Sequence, residues 1–461
     1  MLSHLSKLLL ITLTTIFVGS FLFVLNPQTV NAEEWLTGWS YRKKITIDQS
    51  NVDADLTDFP LLVKITNDSN LSTALANGYD IRFTSQDGAT LLKYERESWS
   101  GGNSLPVTAV IWVKVPNISA TTNTDIYMYY GKADATDGQD ASNVWDSNFK
   151  GVWHLNDPTN PLDATSNNND GTNYGGTSTT GKIAGGVAFD NSSFPTLASN
   201  FYHTDFGSST SFNSSDYSIS IWFKKTTANA GGAIFARANG LFSGSQFALF
   251  LGSASVRFDF PWVKTILNYF SVPAAENINW HLFTYTRSGN IHTYFFDGSI
   301  VTTVVDATAP GYNGNVWIGG GNFGLGAYSH FTGSLDEPRI STTARTAEWI
   351  KFEYNNMNES DNELAISSEQ DTTPPTISSF SPTSGSTVTS STPTITFTTN
   401  ENATCRISRN VDESYQDMAD NITCEGSGTT SQSCTTPDLG TDEGTKTETV
   451  HKSVSSECII F

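Results

Sequence analysis

HLFTYTRSGNIHTYFFDGSIVTTVV, residues 281–305, is the stretch whose reading decides the fold. It is a run of β-branched and aromatic residues broken twice, at Ser288-Gly289-Asn290 and at Asp297-Gly298. Those breaks hold the residues that accept the positive φ a tight hairpin loop requires, so the stretch predicts three antiparallel strands. Upstream, SISIWF (218–223) alternates imperfectly, as a strand buried on one face would. Further out, DFPLLVKI (58–65), AVIWVKVP (109–116) and DIYMYYG (125–131) also read as strands. DIRFTSQDGATLLKYERESW (80–99) predicts a hairpin turning at Asp87-Gly88. Only EWIKFEYNN (348–356) has helical spacing, and one short helix at the edge of a sandwich is expected there.

The bulk properties agree with an all-β reading. In 461 residues, hydrophobic side chains make up 38% and aromatic ones 12%, a mix suited to pleated, half-buried faces. The length implies about three domains. The balance of 25 basic against 46 acidic residues gives a net charge of −21. That argues against a nucleic-acid partner, which calls for a basic face. It suits a soluble surface and, to a lesser extent, divalent-cation sites. Lys7, the apolar run Leu8 to Leu25 and the small-residue site Val30-Asn31-Ala32 read as a signal peptide over residues 1–32, with an uncleaved membrane anchor as the alternative. The four cysteines, Cys405, Cys424, Cys434 and Cys458, all lie late in the chain. They are candidates for disulfides in a small terminal domain, with three pairings open.

Residues 33–149 form a first β-sandwich module. Its blocks WSYRKKITI, DFPLLVKI, DIRFTSQDG, IWVKVP and IYMYYG resemble, in order, the uncharacterised family numbered 2341 among the domains of unknown function. The resemblance implies architecture and no chemistry. A second module, 150–366, is announced by VWDSNFKGVWHL (144–155) and runs through DATSNNNDGT (163–172), GKIAGGVAFD (181–190), YSISIWFKK (217–225) and FTGSLDEPRIS (331–341). This succession resembles the laminin-G-like jelly roll of the concanavalin-A-like superfamily. The expected fold is therefore a series of β-sandwiches around that jelly roll. A polar linker (367–376) follows, and 377–461 resembles a bacterial immunoglobulin-like domain, truncated or frame-shifted after about Cys434.

Candidate sites are few. Asp163, Asn167 and Asn169 pack oxygen donors into one short loop, the chemistry calcium takes, or else a solvated turn. The laminin-G-like resemblance implies calcium at such a loop and an Asp-Glu pair, here Asp336-Glu337, leading into a late strand. That pair either completes the metal site or bonds backbone amides. Asp190 is a third acidic candidate, read as a strand end. Trp262, Tyr312 and Tyr328 are ring candidates for stacking on sugars.

Catalytic sets are missing from the sequence. The Glu-x-Asp-x-x-Glu string of jelly-roll glucanases does not occur, and neither do His-Glu-x-x-His, Gly-x-Ser-x-Gly nor a phosphate loop. Glu95 and Glu97, two apart beside Lys93 and Arg96, read as a salt-bridged hairpin surface, and His154 as a core or rim residue. The sequence thus points to an exported, secreted or cell-surface binding protein for a polysaccharide or glycoprotein. The alternatives are a secreted carbohydrate-active enzyme and a structural spacer.

Overall fold

The computed structural model describes residues 35–192, 201–208, 215–227, 231–238, 245–251, 255–259, 270–271, 278–307, 314–322, 328–358, 363–371, 377–383, 392, 394–407, 422–425, 429–435, 450–452 and 457–460. The expected signal segment, Trp262 and Tyr312 lie outside them. The protein is built mostly of antiparallel sheets, with one α-helix among the described residues, Ala347–Asn358. No helix there is long and apolar enough to cross a membrane.

The first module is two facing sheets. One contains Tyr41–Ile47, Arg82–Thr84, Leu91–Leu92 and Thr124–Tyr130. The other contains Leu56–Asp68, Tyr94–Gly102 and Leu105–Ile118. Alternate residues such as Leu61, Val63, Ile111 and Val113 point between the sheets and are fully buried. The hairpin expected over 80–99 forms only as a short ladder, Phe83 opposite Leu92 and Thr84 opposite Leu91. Beyond it the chain crosses over, and Tyr94–Gly102 pairs with Leu105–Ile118 in the opposite sheet. Asp87 does make the turn, accepting from the amides of Ala89 and Thr90 at 2.9 Å each.

The second module is the expected jelly roll. His281–Ser288, Ile291–Phe296 and Ser299–Val305 pair antiparallel in sequence, as their turns predict. They continue an eight-stranded sheet with Tyr217–Lys225 and Gly333–Ser341. The facing seven-stranded sheet includes His203–Asp205, Gly232–Ala238 and Asn315–Ile318. Ile219, Ile221, Phe223, Phe235, Tyr285 and Ile318 fill the space between them.

The helix does not sit at a free edge. It is wedged between the eight-stranded sheet and the first module. The ring of Phe59 lies 4.7 Å from that of Trp349 and 5.0 Å from that of Phe352, while Trp222 stacks on Tyr354 at 5.7 Å. One apolar core runs from Leu61 and Ile111 of the first module through Trp349 and Ile350 to Trp222, Leu282 and Phe295 of the jelly roll. Each large side chain buried in it contributes about 1.5–3 kcal/mol, enough to weld the two modules. After the helix the chain returns to the first module. Leu364–Ile366 pairs with Tyr41–Ile47, and so does Gln370–Asp371, which lies within the stretch expected to be a linker.

In the C-terminal segment, strands gather around Thr394–Ile407. Cys424 and Cys434 form a disulfide, and Cys405 is also disulfide-bonded. Cys405 and Cys458 are register partners on adjacent parallel strands.

Candidate functional site

Among the described residues, two places in the fold gather chemistry-bearing side chains. The first is the seam between the modules. Strand Tyr94–Gly102 turns Glu95 and Glu97 away from its own sandwich, beside Trp112 of the neighbouring strand, where Glu95 is the register partner of Trp112. The expected ion pairs with Lys93 and Arg96 are not made, since those cations pair with Asp140 at 2.6 Å and Asp137 at 2.7 Å. The carboxylates instead meet His154, which enters just after the strand Phe149–Val152.

The imidazole Nδ1 lies 2.6 Å from Glu337 Oε1 and 3.5 Å from Glu97 Oε2, and Nε2 lies 3.4 Å from Glu95 Oε1. Trp112 stacks on the ring at 5.8 Å. Each carboxylate is anchored from behind. Glu97 accepts from Trp112 Nε1 at 2.7 Å and Asn156 Nδ2 at 2.9 Å. Glu95 accepts from Trp145 Nε1 at 3.0 Å, and Glu337 from Arg339 Nη2 at 2.8 Å. Arg339 also donates to Glu353 at 2.9 Å and lies over the Trp112 ring at 4.5 Å.

Asp336 and Glu337 are adjacent, and a regular strand would send them to opposite faces. Here the ladder is irregular between Ser220 and Trp222, and Glu337 takes φ 50°. A bulge of this kind re-aims a side chain. Both residues are fully buried. Asp336 accepts from the backbone amides of Lys182 at 2.7 Å and Ile183 at 3.0 Å. Burial and then the Glu337 charge hold the Asp336 carboxyl well above the usual range. Burial also pushes Glu97 up to about 7, against the pull of His154. Burial opposes a charged His154, but Glu337, Glu97 and Glu95 outweigh it and hold the imidazole well above its ordinary value.

The loop expected to bind calcium lies apart from this set in its bonding. Asp163 accepts from the amides of Val152, Thr165 and Asn169 at 3.1, 2.9 and 2.9 Å and from the Thr165 hydroxyl at 2.9 Å. Asn167 and Asn169 donate their side-chain amides to the carbonyls of Phe149 and Lys150 at 2.9 and 2.6 Å. Asp190 closes a local turn on Ser192. Among the described residues, Glu97, His154 and Glu337 are the group whose ligand atoms converge, all within 4.8 Å of one another.

The second place is the outer face of the seven-stranded sheet. Along Asn315–Ile318, Val316 and Ile318 join the interior, which leaves Trp317 on the other side. Asp205 is the register partner of Trp317, and His203 that of Tyr174. Tyr174 stacks on His203 at 4.7 Å, and His203 meets Phe201 at 4.8 Å and Trp317 at 5.0 Å. Phe201 and Trp317 are buried, whereas Tyr174 is 50% and Tyr202 38% exposed. None of these aromatic residues stands out in the sequence, because strand positions pointing outward read the same as core ones. Of the expected ring candidates, Tyr328 opens the short strand Tyr328–His330 opposite Asn322, a backbone placement only.

Comparison with known proteins places both modules. Residues 77–166 match "Domain of unknown function (DUF2341)", and residues 199–351 match "Concanavalin A-like lectin/glucanases superfamily". The chain thus carries a DUF2341 domain followed by a concanavalin A-like lectin domain. The first match contains Glu95, Glu97, Trp112, Trp145 and His154, and the second contains Glu337 and Arg339. No curated protein matches the chain.

Solved structures similar to it include the binding domain of Paraclostridial Mosquitocidal Protein 1 (12% identity, TM-score 0.35, 45% of this chain and 52% of that one). Another is the binding domain of Botulinum Neurotoxin DC in complex with SialylT (12%, TM-score 0.36, 46% and 52%). A third is Domain 4 of AbnA, a GH43 extracellular arabinanase from Geobacillus stearothermophilus, in complex with arabinotriose (16%, TM-score 0.32, 44% and 96%). The chain spans about half the length of the first two of these binding-domain chains.

Proposed function

We propose that this is an exported, cell-surface binding protein whose jelly roll recognises a polysaccharide or glycoprotein without cleaving it. The observation that carries the reading is the aromatic platform on the outer face of the seven-stranded sheet, where Tyr174, half exposed, lies flat on His203, and the neighbouring residue Tyr202, also exposed, packs its ring against Gly175. A sugar presents apolar C–H faces that stack on such rings, and the hydroxyl edges reach polar neighbours such as Asp205 and Asn315. The eight-stranded sheet is covered by the helix and the first module, which leaves recognition to the other side. Among the described residues, the carboxylates Glu95, Glu97 and Glu337 gather around His154, buried against Trp112 and Trp145, out of reach of a polymer, and glycoside hydrolysis needs two carboxyls flanking an accessible sugar.

The test is a glycan array probed with the mature chain, followed by retention and reducing-end assays on the glycans that bind. Retention without new reducing ends, weakened at least tenfold by Tyr174→Ala and Tyr202→Ala, is expected. Steady release of oligosaccharides would overturn the non-enzymatic reading. Binding unchanged in both variants would show that the platform takes no part in recognition.

A further inference from the structure

We propose that Glu97, His154 and Glu337 form a zinc-type metal site that ties the two modules together. Zinc takes imidazole and carboxylate ligands in a compact shell, and one ligand atom from each of His154, Glu97 and Glu337 already lies within 4.8 Å of the other two. Their side chains are 10%, 1% and 0% exposed, so a cation there would be shielded from competing water.

The surroundings are those of a ligand set. Asn156 holds the far oxygen of Glu97, and Arg339 holds that of Glu337. On the other side of the imidazole, Nε2 is buried without a hydrogen-bond partner and faces Glu95 Oε1 at 3.4 Å. A metal-bound histidine characteristically directs its second ring nitrogen at a carboxylate, which fixes the tautomer and strengthens the ligand. Glu95, itself held by Trp145, stands where that carboxylate belongs.

Charge points the same way. Glu95, Glu97, Asp336, Glu337 and Glu353, five carboxyls, share the seam with His154 and Arg339, and Arg345 also acts on Glu353. Buried carboxylates in excess demand protons or a metal. The 2.6 Å contact of Nδ1 with Glu337 is a charge-assisted hydrogen bond, and the metal takes that proton's place. The imidazole and the small number of ligands favour zinc over calcium, which prefers six to eight oxygens. Ligands come from both modules, so metal uptake couples directly to their docking.

The experiment uses the full mature chain, stripped with chelator and titrated calorimetrically with Zn²⁺ and with Ca²⁺, then loaded with Co²⁺ for absorption spectroscopy. One equivalent of Zn²⁺, intense visible Co²⁺ bands of a low-coordinate site, and at least a tenfold loss of affinity in Glu97→Gln and His154→Gln are expected. Asp163→Asn, in the separate loop, should leave the stoichiometry unchanged. No Zn²⁺ uptake by the wild-type chain at millimolar metal would overturn the proposal even if the variants fail to fold. Uptake untouched by either ligand substitution would overturn it equally.

Discussion

Asn356, on the helix, grips the backbone of Leu62, 294 residues away: its Oδ1 accepts from the Leu62 amide at 2.7 Å and its Nδ2 donates to the Leu62 carbonyl at 3.0 Å. Among the described residues the strand Leu56–Asp68 pairs with one neighbouring strand and lies at the edge of its sheet, where outer amides and carbonyls need partners from outside the ladder. One side chain thus closes an exposed sheet edge and docks the helix onto the first module.

Asn356→Ala should therefore cost about 2–4 kcal/mol, since it leaves two buried backbone groups unpaired. Urea denaturation followed by tryptophan fluorescence reads this loss. The wild-type DUF2341 domain and jelly roll should unfold in a single transition, given the core they share. Two separated wild-type transitions would show that the seam does not couple them.

Asp163 concerns the loop that reads as a calcium site. Both its oxygens already accept hydrogen bonds from the loop and from Val152, and they are the atoms a cation would use. Asp163→Ala is expected to lose about 1–3 kcal/mol through the buried amides it abandons. The loss should be equal in calcium and in chelator. A loss seen only with calcium present would assign the loop to the ion.

How much of this was legible in the sequence depends on range. The three strands over 281–305 were, because their turns are written in the residues that make them. The destination of Tyr94–Gly102 was not, since period-two alternation says that a strand has two faces but not which sheet it joins. Glu95 and Glu97 read as surface because Lys93 and Arg96 flank them. Their true partners, Trp145 and His154, lie 50 or more residues away and carry no local signature. Asp336 and Glu337 drew notice as a pair, but the positive φ that turns Glu337 into the seam is imposed by the ladder with Tyr217–Lys225. The platform of Tyr174, His203 and Trp317 is assembled from three strands, each unremarkable alone.

His203 gives the platform a pH dependence. Burial lowers its basicity, opposed by its bond to the Phe201 carbonyl and by Asp205. Tyr174, Trp317 and Phe201 also meet the ring and carry no charge near neutrality. A histidine whose folded-state value is depressed contributes stability that is fully present above about pH 6.5 and is lost as pH falls through the folded value. Thermal melts from pH 8 to 4 should show a decline in the wild type that His203→Gln flattens. Parallel profiles for the two would mean that other groups govern the acid limb.

Gly175→Ala separates the platform from ordinary packing. Gly175 sits at φ +89°, and a Cβ built on it would stand 2.0 Å from Cδ1 of Tyr202. That ring is held against bare backbone at the edge of the platform, with 38% of the residue exposed. Gly175→Ala imposes a left-handed conformation on a residue with a side chain, costing about 1–3 kcal/mol, and drives the Tyr202 ring off its seat. If exposed rings recognise sugar, glycan retention should fall at least as far in Gly175→Ala as in Tyr202→Ala, although the alanine itself touches no ligand. The stability cost is measured separately by thermal melting, and retention is compared well below the melting temperature. Tyr202→Ala should lower retention, and its own melting temperature, measured alongside, separates that loss from any loss of packing on Gly175. Full retention in Gly175→Ala would show that the position of Tyr202 is irrelevant to binding, and the platform would then shrink to Tyr174 and His203.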